Sequence, residues 1–371
     1  MNVGILGGGQ LGRMLALAGH ALGIRTLVLE NSAECPAVNV TDVLVGAFEN
    51  RGDLERIAAA STVVTYEFEN VPIEAARYLA QRVSVCPPPQ ALECAQDRLI
   101  EKTTFQSLGI PTPQFADVDS IDGLREAVAR IGLPAVLKTR RLGYDGKGQR
   151  VLRAPGDVDV AWAALRRAHD LGRVCAFDRE VAIIAVRSRD GSHAFYPLVE
   201  TRQEGGILHT AIAPEPRWSQ ALQTNAETYA MRLLDHLDYV GVLALELFEH
   251  NGGLLGNEFA PRVHNSGHWT IEGAETSQFE NHLRAILGLP LGSTAAIGHV
   301  GMVNLIGTLP PISAILAIPH ARVHLYGKRE RSGRKLGHVT VRAENGAELI
   351  VRLDRVIAVV KEAERAAEIA D

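Results

Sequence analysis

The chain has 371 residues and a formal net charge of −5, with 46% hydrophobic and 22% charged residues. At about 150 residues per domain, this length predicts two or three globular domains. The mildly acidic balance disfavours extended electrostatic contact with nucleic acid or with an anionic membrane. The four cysteines (Cys35, Cys86, Cys94 and Cys175) form no CxxC pair, which excludes a disulfide scaffold and a zinc ribbon. No apolar run approaches the ~20 residues that span a bilayer, so we expect a soluble cytoplasmic protein.

Strands and helices alternate in the first part of the chain, until the proline triplet at 87–89. Such alternation predicts a doubly wound α/β domain with a parallel sheet, to which we assign residues 1–95. Its predicted strands lie at 3–6, 26–29, 43–45 and 62–65, and its predicted helices at 13–22, 54–60 and 73–81.

The middle of the chain has a different pattern, which predicts an α+β domain at 96–295. Its strand segments alternate as in an antiparallel sheet. We predict strands at 135–139, 181–186, 194–199, 208–212, 242–248 and 254–259, and helices at 96–108, 124–131, 224–237 and 277–287. The tail, 296–371, is predicted to be a small, mainly β domain, with strands at 300–305, 322–326 and 337–342 before a helix at 358–370.

A glycine loop, GGGQLG, joins the first predicted strand to the first predicted helix. Gly7, Gly9 and Gly12 form a G-x-G-x-x-G pattern. Glu30 ends the next strand, where an acid binds the ribose in dinucleotide-binding domains. Backbone N–H groups at a helix N-terminus bind any anionic group, so the loop also suits other phosphorylated substrates. Gln10 favours this second interpretation, because its amide can hydrogen-bond a substrate beside the phosphate or ribose.

A second glycine loop directly follows the predicted strand that carries Lys138. It is not a Walker A loop, because Lys147 is followed by Gly148 and not by serine or threonine. We interpret it as a flap that closes over a triphosphate, with Lys138 contacting phosphate oxygens; an exposed hairpin is the alternative. The loop comprises Gly143, Tyr144, Asp145, Gly146, Lys147, Gly148 and Gln149.

Two glutamates lie inside apolar strands that the turn at 251–253 joins into a predicted hairpin. A buried carboxylate is costly unless a cation compensates it, and Glu246 and Glu258 both occupy such positions. Together with Asn257 they offer the oxygen ligands that Mg²⁺ prefers beside phosphate. Buried salt bridges to arginine or lysine are the alternative.

Two polar clusters are candidates for binding oxyanions. In the first, Arg262 offers a bidentate fork for a carboxylate, carbonate or phosphate. His264 and His268 either orient small oxyanions or are ordinary surface histidines. The second cluster concentrates cations around two glycines, which predicts a phosphate grip or a solvated basic turn; it contains Lys328, Arg334 and Lys335.

Together these segments resemble the ATP-grasp superfamily and, within it, the N5-carboxyaminoimidazole ribonucleotide synthetases of purine biosynthesis. The matching motifs span essentially the whole chain and are GGGQLGRM, YEFENVP, QDR, LKTRRLGYDGKGQ, FDRE, FYPLVE, GVLALELF and NEFAPRVHNSGHWT. The resemblance implies an ATP-grasp fold with an N-terminal Rossmann-like (pre-ATP-grasp) domain and a small C-terminal, mainly β domain. It also implies a homodimeric ligase. The ligase would use ATP to carboxylate 5-aminoimidazole ribonucleotide with bicarbonate, through carboxyphosphate, giving N5-carboxyaminoimidazole ribonucleotide, ADP and phosphate.

The same resemblance implies roles for single residues. ATP would be bound by the flap residues and by Arg98, Lys138, Glu180, Gln203, Asn257 and Glu258. Mg²⁺ would be bound by Glu246 and Glu258. The ribonucleotide would contact Gln10, Leu11, Glu67, Asn70, Arg262, Lys328, Arg334 and Lys335. Bicarbonate and carboxyphosphate would lie near Arg262, His264 and Asn265, with Lys138 at the phosphates.

Three departures from the family pattern fall in the nucleotide-binding half. The hinge that recognises adenine reads GRVCA at 172–176, while Gln203 and His209 stand in place of a histidine and an arginine. The alternatives to the carboxylating ligase are another ATP-grasp ligase, such as a formate-dependent glycinamide ribonucleotide transformylase, and a ribonucleotide-binding protein with impaired ATP use. The first glycine loop leaves a dehydrogenase as a third alternative.

Overall fold

The computed structural model describes residues 1–143, 148–165, 169–173 and 177–370. Within these residues the chain forms eighteen strands in three sheets and twelve helices. The strands are β1 (Asn2–Leu6), β2 (Arg25–Glu30), β3 (Asp42–Val45), β4 (Val63–Tyr66), β5 (Ser84–Val85), β6 (Phe115–Val118), β7 (Ala135–Thr139), β8 (Gln149–Leu152), β9 (His169–Arg173), β10 (Arg179–Arg187), β11 (His193–Phe195), β12 (Val199–Glu204), β13 (Ile207–Ala213), β14 (Gly241–His250), β15 (Gly253–Ala260), β16 (His299–Ile306), β17 (Ala321–Leu325) and β18 (Lys335–Ala343).

The helices cover or cross these sheets. They are α1 (Gln10–Ala21), α2 (Arg51–Ala60), α3 (Ile73–Ala80), α4 (Pro89–Gln96), α5 (Arg98–Ser107), α6 (Ile121–Ile131), α7 (Asp157–Leu165), α8 (Gln220–His236), α9 (Thr270–Gly273), α10 (Gln278–Leu287), α11 (Ile312–Leu316) and α12 (Gly346–Ala370). No helix in the described ranges is both long and apolar enough to cross a membrane.

The N-terminal sheet is parallel throughout, with strand order β3-β2-β1-β4-β5. Its central strand β1 is buried from Val3 to Leu6, as expected for a parallel strand covered on both faces. The predicted doubly wound α/β arrangement is therefore confirmed. Buried side chains of α1 and α10, including Leu15 and Leu283, belong to one apolar core, which fixes this sheet against the rest of the protein.

A small antiparallel sheet follows, with strand order β6-β9-β7-β8. Helices α6 and α7 cover it, and its own apolar core includes Leu124 and Leu137. The sequence predicts only β7 and α6 of this unit. The strand β8 escapes prediction because only Leu152 of its four residues is buried, which leaves no apolar alternation to detect.

The third sheet, called the large sheet below, has nine antiparallel strands. Their order is β15-β14-β10-β12-β13-β16-β18-β17, with β11 beside β10. The C-terminal strands continue the sheet of the middle region, because β16 pairs with β13 from Val300 to Val303. The predicted hairpin is confirmed as β14 and β15, and Glu246 lies opposite Glu258 in its register. The two predicted carboxylates are therefore cross-strand neighbours on one face of this sheet.

Three predicted elements are wrong in detail. The last helix, predicted at 358–370, already begins at Gly346 as α12. The single helix predicted at 96–108 is two helices, because Asp97 is extended (φ −126°, ψ 110°) and accepts a hydrogen bond from Leu99 N, so that α4 ends before it and α5 begins after it. The strand predicted at 194–199 is two strands, separated around Pro197, which has no N–H to donate to a ladder.

Candidate active site

A cavity of about 700 Å³ lies where loops and strands from all three sheets meet. Most predicted site residues within the described ranges line it. They are Gln10, Leu11, Glu67, Asn70, Arg98, Lys138, Gly143, Gln149, Gln203, Glu246, Asn257, Glu258, Arg262, His264, Asn265, Lys328, Arg334 and Lys335. Residues from the two ends of the sequence thus share one cavity.

The first glycine loop already holds anionic groups from the chain itself. The carboxylate of Glu67 accepts hydrogen bonds from Gly9 N (2.6 Å) and Gly12 N (2.7 Å) at the start of α1. The carboxylate of Glu30 accepts one from Gly8 N at 3.0 Å. The loop amides that would cradle a dinucleotide pyrophosphate are therefore occupied, which argues against the dehydrogenase alternative. A Cβ on Gly9 would lie 2.3 Å from the Glu67 carboxylate, so only glycine permits this contact without displacing Glu67.

The two glutamates of the hairpin form a strongly interacting carboxylate pair. Burial, followed by the charges of Glu258 and Glu180, raises the pKa of Glu246. Burial acts on Glu258 as well, but the charges of Arg98 and Lys138 outweigh it and lower the pKa of Glu258. Arg98 NH1 donates to Glu258 Oε2 at 3.1 Å. The pair thus combines one protonated and one ionised carboxyl group, poised for an added cation.

Lys138 lies on β7 of the small sheet and faces the hairpin of the large sheet. Burial lowers its pKa to about 8, and the charges of Arg98 and Lys102 contribute. A cluster of three cations is unfavourable in a ligand-free protein unless anions compensate it. Lys138 and Arg98, together with the glutamates opposite, therefore suit a polyphosphate with a divalent cation.

Arg262 is held at the edge of the cavity by Glu69, a residue that the sequence motifs do not single out. Its NH2 donates to Glu69 Oε1 and its NH1 to the carbonyl of Val263 at 3.0 Å, while its buried Nε has no partner. Asn265 is also buried, and neither its Nδ2 nor its Oδ1 has a partner. Because buried polar groups are normally paired, these atoms indicate a polar ligand at this place.

Of the two histidines of the polar run, His268 is buried and the side chain of His264 is only 15% exposed, so the surface alternative is wrong for both. Burial, followed by the charge of Arg262, lowers the pKa of His264 well below its usual range. Burial also lowers the pKa of His268, with His324 as the next cause. His264 Nε2 lies 3.5 Å from Glu246 Oε1. Both rings are therefore neutral near pH 7, which suits hydrogen bonding to a ligand better than charge pairing.

The predicted phosphate grip reaches the first glycine loop from the opposite end of the chain. Lys328 Nζ donates to Gln10 Oε1, and Gln10 is the first residue of α1. Arg331, which the sequence motifs do not single out, lines the same cavity as Arg334 and Lys335. The basic segment and the glycine loop together form one cationic wall.

Some predicted nucleotide-binding residues lie elsewhere. Glu180 is on β10 and outside the cavity lining, and burial raises its pKa, with Glu258 as the next cause. Gly148, in the second glycine loop, accepts a hydrogen bond through its carbonyl from Thr139 N at 2.8 Å. His209 is buried away from the lining, 3.9 Å from Glu204, so this departure from the family pattern does not alter the cavity wall. Tyr144, Asp145, Gly146 and Lys147, and hinge positions 174–176, lie outside the described residues.

Comparison with known protein families covers most of the chain. Residues 1–96 match the ribonucleotide synthetase preATP-grasp domain. Residues 103–279 match the ATP-grasp domain, and residues 301–352 match the phosphoribosylaminoimidazole carboxylase C-terminal domain. The cavity lies where these three matched regions meet.

The chain is similar to several N5-carboxyaminoimidazole ribonucleotide synthases. The chain is 50% identical over 362 residues to the N5-carboxyaminoimidazole ribonucleotide synthase of Pseudomonas aeruginosa, covering 97% of this chain and all of the other. The crystal structure of N5-carboxyaminoimidazole ribonucleotide synthetase from Thermus thermophilus is 55% identical, with a TM-score of 0.93 and coverage of 96% and 98%. The synthase from Aspergillus clavatus, in complex with ADP and 5-aminoimidazole ribonucleotide, is 33% identical, with a TM-score of 0.91 and coverage of 97% and 98%.

Proposed function

The chain belongs to the N5-carboxyaminoimidazole ribonucleotide synthases, the ATP-grasp ligases of purine biosynthesis, and we propose that its cavity binds ATP, 5-aminoimidazole ribonucleotide and bicarbonate side by side. The observation that carries this proposal is the arrangement of the lining: cations and carboxylates from the two antiparallel sheets on one side, and the glycine loop with its basic wall on the other. Between them lie the unpartnered atoms of Arg262 and Asn265.

We assign the polyphosphate of ATP to the cleft between the small and the large sheet. Lys138 lies on one side of this cleft and Arg98 at its end, where both charges already act on Glu258. Gln149 pairs with Lys138 in the sheet register, and Gly143 lines the cavity, so the base of the flap borders this cleft. Gln203 and Glu180 are proposed to contact the nucleoside end, and Asn257 the phosphates with their metal ion.

The carboxylate pair fits Mg²⁺, which prefers a few protein oxygens completed by phosphate oxygens. Two carboxyl groups directly opposite each other, with the pKa of Glu246 raised by burial and by Glu258, mark a place where a cation would relieve repulsion. Among the described residues no group of three or more His, Cys, Asp or Glu could hold a metal ion. Phosphate oxygens and water would complete the coordination of Mg²⁺ here. Mg²⁺ bound by Glu246, Glu258 and Asn257 would neutralise charge on the phosphates.

We assign the ribonucleotide to the other half of the cavity. Its phosphate would face Lys328, Arg334 and Lys335, and its ribose and imidazole would contact Gln10 and Leu11 at the start of α1. Glu67 would keep its hydrogen bonds from the loop amides and would contact the ribonucleotide from that position. Asn70 closes the side towards the flap.

We place bicarbonate between the two halves, near Arg262, His264 and Asn265. An oxygen of bicarbonate would attack the γ-phosphorus of ATP, so that the bond to the bridging oxygen breaks and ADP leaves. The amine nitrogen of the ribonucleotide would then attack the carbon of carboxyphosphate, and inorganic phosphate would leave as the carbamate forms. Arg262 Nε and the Asn265 amide would stabilise the charge that develops on the carboxyl oxygens.

The test is ADP release by the purified chain, measured with and without each substrate. We expect stoichiometric ADP only when ATP, the ribonucleotide and bicarbonate are all present. Release that needs formate and glycinamide ribonucleotide instead would assign a transformylase. Ribonucleotide binding without ATP binding in calorimetry would assign a nonhydrolytic protein.

Three further points are proposed with this function. We place the enzyme in the cytoplasm, where its three substrates occur together, and we propose that it is a homodimer, which light scattering at micromolar concentration tests. We also propose that the functional units are 1–95, 96–295 and 296–371. Limited proteolysis tests these limits.

A further inference from the structure

Helix α5 passes between the small sheet and the large sheet and carries an unusual set of buried ionisable side chains. Asp97, its capping residue, is 3% exposed, and Glu101 is 2% exposed. The side chains of Lys102 and Arg98 are only 11% and 19% exposed. Buried charges are costly unless each has a partner, so the partners indicate what the helix does.

Two of the four residues bind the small sheet. Asp97 accepts hydrogen bonds from Arg140 Nε (3.0 Å), Arg140 NH2 (2.9 Å) and Arg141 Nε (3.1 Å), directly after β7. Burial would raise the pKa of Asp97, but the hydrogen bonds and charge of Arg140 outweigh it and lower that pKa, so Asp97 is ionised. Lys102 forms an ion pair with Asp170, which is fully buried on β9.

Asp170 has a special position in the small sheet. It is the register partner of Lys138, so the Lys102 ion pair acts on the strand directly beside that lysine. Lys138 and Thr139 are the last two residues of β7, and the arginines that Asp97 binds follow directly after them. Both contacts therefore hold the part of the small sheet from which Lys138 projects.

The other two residues bind the large sheet. Arg98 NH1 donates to Glu258, and Glu101 Oε1 accepts from Phe259 N at 2.7 Å. Glu258 and Phe259 are neighbours on β15, and Glu258 lies opposite Glu246 in the hairpin. Helix α5 thus contacts each sheet through two side chains, next to the residues assigned to the phosphates and the metal. Burial, followed by the charge of Glu258, raises the pKa of Glu101 well above its usual range, so Glu101 contributes a hydrogen bond and Arg98 the charge on the large-sheet side.

We propose that Asp97 and Lys102 are positioning residues which, through α5, fix the distance of Lys138 from Glu246 and Glu258 and so set the width of the nucleotide cleft. This inference rests on the proposed ATP site. Neither side chain lines the cavity, so neither is assigned a contact with substrate. The contacts make α5 a spacer between the sheets. Separation from the small sheet would break the buried Lys102–Asp170 ion pair, and separation from the large sheet would break the Arg98–Glu258 ion pair and the hydrogen bond that Glu101 accepts from Phe259 N.

The experiment compares Asp97→Asn and the double variant Lys102→Met/Asp170→Asn with the wild-type enzyme. The double variant removes both charges of the pair with nearly unchanged volume, so it leaves no uncompensated buried ion. It therefore still tests the inference if Asp97→Asn fails to fold. The matched control is Arg125→Met/Asp159→Asn, which removes an exposed ion pair between α6 and α7, within the small-sheet unit. ADP binding is measured by calorimetry, and KM and kcat by ADP release.

We expect the double variant to bind ADP about tenfold more weakly and to raise the KM for ATP by a similar factor. The KM for the ribonucleotide and the melting temperature should change little, and the control should match the wild type. Lys102→Arg, which keeps the ion pair, should restore most of the affinity. Wild-type ADP affinity in the double variant, or an equal rise in both KM values, would overturn the inference. If the wild-type enzyme itself bound no ADP, the proposed ATP site would fail instead.

Discussion

Lys328 Nζ donates a hydrogen bond to the side-chain oxygen of Gln10, although 318 positions separate the two residues. Gln10 begins α1 in the first domain, and Lys328 follows β17 near the other end of the chain. Both line the cavity, so the ribonucleotide half of the site is built jointly by the two ends of the protein. A phosphate entering this half would meet a lysine that is already directed towards it.

Lys328→Met should raise the KM for 5-aminoimidazole ribonucleotide at least tenfold, because a hydrogen bond from a charged donor contributes about 1.5–3 kcal/mol and tenfold corresponds to about 1.4 kcal/mol. The KM for ATP should stay within about twofold, because Lys328 lies in the other half of the cavity. Steady-state ADP release gives both values. Arg329→Met is the matched control, since Arg329 does not line the cavity. A parallel rise in both KM values would contradict the assignment.

Glu246→Gln should lower kcat more than a hundredfold, because it removes a proposed metal ligand, without loss of the fold. Because burial and Glu258 raise the pKa of Glu246 in the folded state, wild-type stability is lost as pH rises through that pKa. The glutamine variant mimics the protonated form and lacks this loss. Its melting temperature should therefore equal that of the wild type only near about pH 4, below the ordinary pKa of a glutamate, and exceed it increasingly up to pH 9. Glu74→Gln, at an exposed carboxylate, is the control. Near-normal turnover would refute the metal assignment.

The value of kcat/KM for ATP should fall as pH rises above about 8. Lys138, whose pKa is lowered to about 8 by burial and by Arg98 and Lys102, must be protonated to bind phosphate. Since kcat/KM reports the free enzyme, it should fall by about tenfold per pH unit well above that pKa. Lys138→Arg should be less active but should lack this alkaline decline, because arginine does not titrate there. An unchanged decline in the arginine variant would assign it to another group.

Mg²⁺ binding should strengthen as pH rises from mildly acid to neutral solution. Glu246, with its raised pKa, must lose its proton before it can bind a cation, and the proton competes with the metal. Titration of activity with Mg²⁺ at several pH values below 8 measures this effect. In Glu246→Gln the residual metal dependence should lose that pH sensitivity. An Mg²⁺ requirement that does not vary with pH would contradict the protonated state of Glu246.

Glu67→Ala should loosen the first glycine loop, because it leaves the N–H groups of Gly9 and Gly12 without their acceptor. Buried unpaired donors cost about 1–3 kcal/mol, so the amides of the loop should exchange with deuterium much faster. Glu67→Gln retains one acceptor oxygen and should show an intermediate rate. Glu34→Ala, at an exposed position nearby, is the control. Unchanged exchange in the alanine variant would mean that the loop does not depend on Glu67.

The sequence is most informative where one strand or loop carries several functional residues. The hairpin with Glu246 and Glu258 is predictable together with its turn, because apolar residues on both strands frame each carboxylate and glycines mark the reversal. The basic segment around Lys328 is also recognisable, because cations stand out in an acidic chain. Which residue each of these groups faces is not predictable, since the partners lie far away along the chain.

The contacts that order the site mostly escape prediction, and for a common reason. Glu69, Asp97 and Glu101 are ordinary acidic residues by composition, and their importance comes from Arg262, Arg140 and the backbone of Phe259, brought to them by folding. The break at Asp97 is hidden because helix-favouring residues continue on both sides of it. Only the side chain's bond to Leu99 N distinguishes a cap from a helix interior.

The pairing of β16 with β13 has a consequence for the newly made protein. The ribosome releases the first domain and the proposed ATP cleft well before the strands that bring Lys328 and Lys335 to the cavity. Until β16 has emerged from the ribosome, the large sheet ends at β13, whose edge is unpaired. A half-synthesised chain therefore lacks the basic segment that lines the cavity, so the cavity is complete only when translation is nearly finished.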